Sequence, residues 1–300
     1  MAEPAAVRAV RHLAEAAAAL AGFALFRILP VDAASALGGS IARTIGPRLP
    51  MSRHAVANLR RAFPDLAPDQ IAHIVRGVWD TVGRTFAEYP HLDAIAKDAG
   101  TPGARVAVEG RDALAAVRAG GAALLFSAHL ANWEVFAPAL AALGVPYAQV
   151  YRDPNNPYVS WLARQVRRLS PEDMVPKGPE GARLALAVLG CGGRLGMLVD
   201  QTMNDGIAVP FFGREAMTAP ALARFALRFR CPVVPVRLER LGGARFRVTF
   251  YPPLPVADTG DRAADVAAIM ARVNRVIEGW IRERPGEWLW IHRRWPDAGR

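Results

Sequence analysis

Cysteine is nearly absent from this chain, which has Cys191 and Cys231 alone among its 300 residues. Two widely spaced cysteines supply neither a zinc-ligand pattern nor a disulfide framework. Both stand among apolar residues, so we expect two buried thiols in a reducing compartment. The sequence therefore predicts no metal site. Nucleotide-binding loops, flavin signatures and internal repeats are missing as well.

Acidic side chains are fewer than basic ones, 27 against 37, which gives a formal net charge of +10. This balance predicts an anionic partner, and nucleic acid, anionic lipid and an acidic carrier protein all satisfy it. The basic residues are spread along the chain without a recognised nucleic-acid-binding module, so no nucleic acid partner is expected. A non-enzymatic basic protein that binds membranes remains the alternative to an enzyme.

Long hydrophobic runs are scarce. Near the N-terminus, the uncharged run 16–26 has 11 residues, against the ~20 that a membrane-spanning helix needs. Arg8 and Arg11 precede this run, and Arg27 ends it. We expect residues 1–30 to form a membrane-associating helix that lies in or dips into the surface, with its basic end among anionic head groups. A helix packed on the body of the protein is the alternative.

Hydrophobic periodicity divides the rest of the chain into two parts. Residues 31–95 have helical spacing, as in Ile71, Ile74 and Val78 after a possible cap at Asp69. From residue 96 to 300, short apolar runs alternate with longer amphipathic stretches, which predicts an α/β catalytic domain with a largely parallel or mixed sheet flanked by helices. The predicted strands are 122–126, 147–151, 195–199, 233–238 and 246–251, and the predicted helices are 133–143, 157–169, 179–189, 220–229 and 263–284.

Polar residues follow three of these strands. His129 comes after the first strand, Arg152 after the second and Asp200 after the third. In open α/β sheets, ligands bind beyond the carboxyl ends of the strands. The sequence therefore predicts that the site lies at this edge of the sheet.

The segment 127–134, Ser-Ala-His-Leu-Ala-Asn-Trp-Glu, has the strongest chemical content. On one helix His129 and Glu134 would point roughly 140° apart, so they can meet only if His129 lies on a loop and Glu134 in the first helical turn. Asn132 suits the N-cap of that helix. We expect Glu134 to accept a hydrogen bond from one ring nitrogen, which leaves the other as a general base. Free amides at the helix start could meet an oxyanion.

Other interpretations of His129 are a structural histidine, a zinc ligand and part of a serine hydrolase. The spacing is not His-Glu-x-x-His, and no further ligand cluster is nearby, which disfavours zinc. A Gly-x-Ser-x-Gly elbow is missing, and Ser127 precedes the histidine on an extended segment, which disfavours a hydrolase. The residues alone leave a structural histidine open.

The His-x-x-x-x-acid pair after a buried strand resembles the glycerolipid acyltransferase superfamily. In its fuller form, His-x-x-Asn-Trp-Glu, it resembles the lipid A biosynthesis branch, the lauroyl and myristoyl acyltransferases. Further segments resemble that branch in the same order along nearly the whole chain. They are Tyr151-Arg152 with Asn-Asn-Pro at 155–157, Asp200-Gln201, Val-Pro-Phe-Phe-Gly at 209–213 with Thr218, and Trp-Ile-His-Arg-Arg-Trp at 290–295.

The resemblance implies transfer of a fatty acyl chain from acyl carrier protein to a hydroxyl of a lipid A precursor. His129 would be the general base, and Glu134 would stabilise the imidazolium. Arg152 and Arg167 would face the oxyanion, with a phosphate clamp or a solvated helix face as alternatives. The substrate-binding positions that the resemblance implies are Asn132, Arg152, Arg167, Asp200, Gln201, Phe211, Gly213 and Thr218.

The resemblance further implies the cytoplasmic face of the bacterial inner membrane as the location. It implies no cofactor beyond the pantetheine of acyl carrier protein, and acyl carrier protein and an anionic membrane lipid as partners. A lysophospholipid or glycolipid acceptor remains the alternative. Phe211 and Phe212 can line an acyl channel or belong to the core. Trp288, Trp290 and Trp295 predict an interfacial end, with a packed C-terminal strand as the rival.

Overall fold

The computed structural model describes residues 5–152, 155–167 and 173–295, with the side chains of residues 7–152, 155–162 and 173–295. In this part of the chain five α-helices precede the first strand: α1 Ala5–Ile28, α2 Val31–Ile45, α3 Ser52–Ala62, α4 Pro68–Glu88 and α5 Leu92–Ala96. The start of α4 is Pro68 rather than a cap at Asp69, and the Ala67 N–H donates to Gln70 Oε1 at 2.8 Å. Helices α2 and α4 pack so closely at Gly83 that a Cβ there would lie 2.2 Å from the Gly38 carbonyl oxygen.

Seven strands form a mixed sheet, which confirms the predicted fold class. In chain order the strands of the structure are β1 Val106–Glu109, β2 Ala123–Ser127, β3 Ala148–Tyr151, β4 Met174–Pro176, β5 Arg194–Leu198, β6 Thr202–Phe211, β7 Arg214–Thr218, β8 Val233–Gly242 and β9 Arg245–Phe250. The order across the sheet is β1-β9-β8-β2-β5-β3-β4, whereas β6 and β7 form a separate hairpin. Neighbours are parallel except β8 and β9.

Helices cover both faces of this sheet. They are α6 Arg111–Arg118, α7 Phe136–Ala142, α8 Pro157–Arg167, α9 Pro179–Gly190, α10 Ala221–Phe229 and α11 Arg262–Glu283. Successive side chains of a strand point to opposite faces, and β2 is accordingly buried along its whole length. Leu124 and Phe126 pack in one hydrophobic cluster with α4 and α11, and Leu125 packs in a second cluster with α5 and α7. This double cover explains the continuous apolar run of β2.

The N-terminal helix is longer than its uncharged run, because Arg8, Arg11 and Glu15 lie within α1. Val7–Ile28 is long and apolar enough to cross a membrane, by length and composition, and only 6% of its most apolar part is buried. Asn156, just before α8, donates to the His12 carbonyl at 2.8 Å and to Glu15 Oε2 at 2.9 Å. The helix therefore contacts the body of the protein and still exposes most of its apolar surface.

Two expectations about burial are wrong in part. Cys231 is buried, but Cys191 is exposed, because it lies at the C-terminal end of α9. Trp288, Trp290 and Trp295 do not form an interfacial end. They are 0%, 0% and 4% exposed and belong to the hydrophobic core.

Candidate active site

The loop after β2 holds His129 and starts the next helix as the sequence predicted. The side chain of Asn132 accepts a hydrogen bond from the Glu134 N–H at 3.1 Å, which confirms it as the N-cap. The helix opens with a 3-10 turn, Trp133–Val135, and continues into α7. Between His129 and this cap, Ala131 adopts a left-handed conformation with φ of 49°, which costs free energy for a residue other than glycine. The surrounding structure must therefore hold the turn in place.

The ring of His129 is held by Asp200 and not by Glu134. Nδ1 lies 2.8 Å from Oδ1 of Asp200, and the His129 backbone N–H donates to Oδ2 at 2.9 Å. Glu134 Oε1 instead accepts from Trp133 Nε1 at 3.1 Å. The prediction of a hydrogen bond between Glu134 and the ring was wrong, because β5 lies beside β2 and brings Asp200 next to the loop.

The contacts of the ring determine its tautomer. An ionised carboxylate only accepts hydrogen bonds, so the proton of neutral His129 is on Nδ1. Nε2 is then the basic nitrogen, and the Gln201 amide nitrogen lies 3.3 Å from it. His129 is thus prepared to accept a proton at Nε2.

Asp200 is almost fully buried, at 1% exposure, and three hydrogen bonds reach its carboxylate. The third comes from Trp288 Nε1 to Oδ2 at 2.7 Å. Burial alone would raise the pKa of Asp200, but the charge and hydrogen bonds of His129 outweigh burial and hold this pKa well below its usual range. The carboxylate is therefore ionised at neutral pH.

The C-terminal segment supports the His129 loop directly. The Ala131 N–H donates to the Glu287 carbonyl at 3.0 Å, and the Leu289 N–H donates to the His129 carbonyl at 3.1 Å. Trp288 of the same segment donates to Asp200. The tryptophan-rich ending therefore fixes both members of the His129–Asp200 pair, which explains its burial.

A buried ion pair lies beneath the same loop. Glu88, at the end of α4, is fully buried and binds Arg240 through two contacts, one of them Nη2–Oε2 at 3.0 Å. Asn132 Nδ2 donates to Glu88 Oε2 at 2.7 Å, and Thr85 Oγ1 donates to the Ala131 carbonyl at 3.2 Å. The helical region 31–95 thus positions the turn that starts the Glu134 helix.

A polar cavity of about 420 Å³ opens at the carboxyl edge of the sheet. Its polar lining includes His129 after β2, Arg152 after β3, Lys177 after β4, and Gln201 after β5, together with Glu134. Asp200 lies behind the ring of His129 and does not line the cavity. His129, Arg152 and Asp200 converge at this edge, as the sequence predicted, and substrate binding there stays a prediction.

Other predicted positions lie outside the cavity. Asn132 is buried at the cap, and Gly213 forms the turn of the β6–β7 hairpin with φ of 69°. Phe211 and Thr218 are fully buried and contact Arg294, whose guanidinium lies 4.7 Å from the Phe211 ring and donates to Thr218 Oγ1 at 2.9 Å. These residues support the C-terminal segment. Arg167 ends α8, and its side chain lies outside the described residues.

Lys177 in the cavity and His292 beside His129 were not predicted as site residues. Lys177 follows β4, a strand of three residues that periodicity does not reveal. His292 lies with its ring 5.3 Å from Trp288 and 6.4 Å from His129, and neither of its ring nitrogens has a hydrogen-bond partner within the described part of the chain. Burial lowers the pKa of His292 to about 4. The Trp-Ile-His-Arg-Arg motif was the available signal for His292.

Comparison with models of known protein families gives a match over nearly the whole chain. A family model described as bacterial lipid A biosynthesis acyltransferase matches residues 4–297. A search of curated proteins finds no match. The matched range includes the His129 loop, every strand of the sheet and the tryptophan-rich ending.

Proposed function

Because the chain belongs to the bacterial lipid A biosynthesis acyltransferase family, we propose that it transfers a fatty acyl chain from acyl carrier protein to a hydroxyl of a lipid A precursor. The observation that supports this reaction best is the hydrogen bonding of the His129 ring. Its Nδ1 is held by ionised Asp200, and its Nε2 faces the cavity beside Gln201. This arrangement suits the deprotonation of a hydroxyl.

In the proposed reaction, Nε2 of His129 takes the proton of the acceptor hydroxyl while the hydroxyl oxygen attacks the thioester carbonyl. A tetrahedral oxyanion forms. Its collapse breaks the carbon–sulfur bond, and the pantetheine thiolate leaves with the proton from the imidazolium. Asp200 stabilises that imidazolium and keeps Nδ1 protonated throughout. A positioned general base of this kind contributes ~10²–10⁴-fold to the rate.

Glu134 acts beside this pair and not through the ring. Its carboxylate lines the same cavity and contacts Trp133 Nε1. A second negative charge near His129 favours the imidazolium as it forms. The oxyanion needs positive partners. The Glu134 amide is already occupied by Asn132, so Arg152 and the amide of Gln201 are the candidates on the cavity wall.

The proposed location and partners of the protein rest on its net positive charge and on helix α1. Helix α1 supports association with a membrane, and the charge of +10 suits anionic lipid and an acidic carrier protein. We place the protein at the cytoplasmic face of the bacterial inner membrane, where acyl carrier protein is available. The donor's own pantetheine is the one prosthetic group that the reaction uses.

The test is transfer of acyl chains by the purified full-length protein. Acyl carrier protein loaded with lauroyl or myristoyl chains is mixed with a lipid A precursor, and mass spectrometry follows the acceptor. We expect the acceptor to gain one acyl chain and lipid A from cells lacking the gene to lack that chain. Transfer to a lysophospholipid or glycolipid alone would assign the protein to another lipid acceptor. Absence of transfer to every acceptor would contradict the proposal.

A further inference from the structure

Lys177 and Arg152 lie side by side at the carboxyl edge of the sheet. Strands β3 and β4 are parallel neighbours, and Tyr151 pairs with Pro176 in their register. Arg152 and Lys177 are the next residues on the two strands, which run about 4.8 Å apart. Both side chains line the cavity that contains His129. The sheet therefore places two cations next to each other within the site.

Neither cation has a carboxylate partner among the described side chains, those of residues 7–152, 155–162 and 173–295. Lys177 Nζ lies 3.5 Å from Gln201 Oε1, a neutral amide oxygen. Burial and the charge of Arg152 lower the pKa of Lys177, whereas Asp200 raises it. Asp200 is already bound by His129 and Trp288. Two adjacent cations that form no ion pair with these side chains favour the binding of an anion.

Lysine, the residue type at position 177, is rare in this chain. Of its 37 basic residues, Lys97 and Lys177 are the two lysines, and the rest are arginines. Lysine binds phosphate as a point charge, and arginine binds it through a planar fork. Helix α9 begins two residues after Lys177, and the positive end of its dipole adds to the same field.

We propose that Lys177 and Arg152 form a subsite of the active-site cavity that binds a phosphate group of a substrate. This subsite rests on the proposed function for the identity of the substrates. The phosphate belongs either to the acceptor lipid or to the pantetheine arm of the donor. Gln201 links the subsite to the base, because its amide nitrogen lies 3.3 Å from His129 Nε2 and its oxygen lies 3.5 Å from Lys177 Nζ. A phosphate at Lys177 therefore orients its substrate relative to Nε2.

The first test measures anion binding without turnover. The full-length protein is treated with an amine-selective acylating reagent, and mass spectrometry gives the rate of modification of each lysine. Inorganic phosphate is compared with chloride at equal ionic strength. We expect phosphate to slow modification of Lys177 severalfold and to leave the exposed Lys97 unchanged. Equal rates at Lys177 in phosphate and chloride overturn the proposal.

The second test assigns the phosphate to a substrate. Lys177→Met removes a charged hydrogen-bond donor, so we expect the KM of one substrate to rise about tenfold to a hundredfold while kcat changes little. Lys177→Arg should restore most of the loss, and the matched variant Lys97→Met should behave as wild type. A higher KM for the acceptor alone assigns the phosphate to the lipid, and a higher KM for the carrier alone assigns it to pantetheine.

The two tests separate this proposal from the proposed function. If wild-type protein transfers no acyl chain but phosphate protects Lys177, the function fails and the subsite stands. If wild-type protein transfers acyl chains and Lys177→Met changes neither KM, the subsite is overturned, and any protection by phosphate reflects an adventitious ion only.

Discussion

Asp200 binds His129 twice, through the ring and through the backbone. Oδ1 lies 2.8 Å from Nδ1, and Oδ2 accepts from the backbone N–H at 2.9 Å. The two bonds fix the tautomer of the ring and the position of the loop at the same time. Trp288 completes the arrangement by donating to Oδ2 at 2.7 Å. The pair therefore depends on β2, β5 and the C-terminal segment together.

Asp200→Asn tests whether the carboxylate sets the tautomer. An amide has nearly the same size, but its NH2 group can turn Nδ1 into an acceptor, so that Nε2 carries the proton. We expect kcat to fall by about 10²–10⁴-fold with little change in KM. Turnover is measured with saturating substrates, and near-ultraviolet circular dichroism checks the fold. A folded variant with turnover close to wild type would contradict the role of Asp200.

Glu88→Gln tests the ion pair beneath the loop. The change leaves Arg240 buried without a counter-charge, so we expect the free energy of unfolding to fall by about 3–5 kcal/mol. Denaturant unfolding measures it. Arg43→Met is the matched control, because Arg43 forms an exposed ion pair with Asp80, and it should cost about 1 kcal/mol or less. A loss no larger than that of the control would show that the pair contributes little to the loop.

His292 predicts a pH dependence of stability. Burial lowers its pKa to about 4 in the folded protein, against ~6.5 in an unfolded chain. Between these values the unfolded chain binds the extra proton, so the stability from neutral His292 is present above pH ~6.5 and is lost as pH falls toward ~4. We expect His292→Phe to remove roughly 3 kcal/mol of this loss. The exposed His73→Gln should keep the wild-type dependence, and an unchanged slope in His292→Phe would contradict the prediction.

Removal of residues 1–30 tests attachment to the membrane. Because α1 exposes most of its apolar surface, we expect the truncated protein to leave the membrane fraction in large part while the His129–Asp200 pair stays intact. Leu20→Glu in the full-length protein is a milder variant, since Leu20 is 49% exposed. Sedimentation in high salt measures both. A truncated protein that still sediments fully would place the anchor elsewhere, with exposed Tyr158 and Trp161 of α8 as the first candidates.

The order of elements could be predicted where the chain is strongly periodic. The strand at Ala123–Ser127 and the helix at Arg262–Glu283 lie within two residues of their predictions. The strands that were not predicted are short or lie outside the main sheet, such as Met174–Pro176 and the hairpin Thr202–Phe211 with Arg214–Thr218. A strand of three residues shows no period, so pairing with a neighbour determines it and the sequence does not.

The position of the site residues at the edge of the sheet could be predicted from the sequence, but their hydrogen-bond partners could not. Sequence separation suggested Glu134 as the partner of His129, because the two are five residues apart. The order of strands in the sheet instead brings Asp200 to the ring. In the same way, Trp288 and Trp290 have an interfacial composition, but their indole N–H groups find acceptors inside the protein. Tertiary contacts of this kind decide between alternatives that composition leaves open.

His129 is the proposed general base of acyl transfer, with Glu134 in a supporting role. The most direct measurement is turnover of acyl carrier protein-bound chains onto the lipid A precursor by purified His129→Ala and Glu134→Gln variants. We expect His129→Ala to abolish transfer while the variant stays folded by near-ultraviolet circular dichroism, with a lower unfolding midpoint because buried Asp200 loses its ring contact. We expect Glu134→Gln to retain measurable activity, because Asp200 still orients the ring. A folded His129→Ala variant with near wild-type turnover would contradict the account.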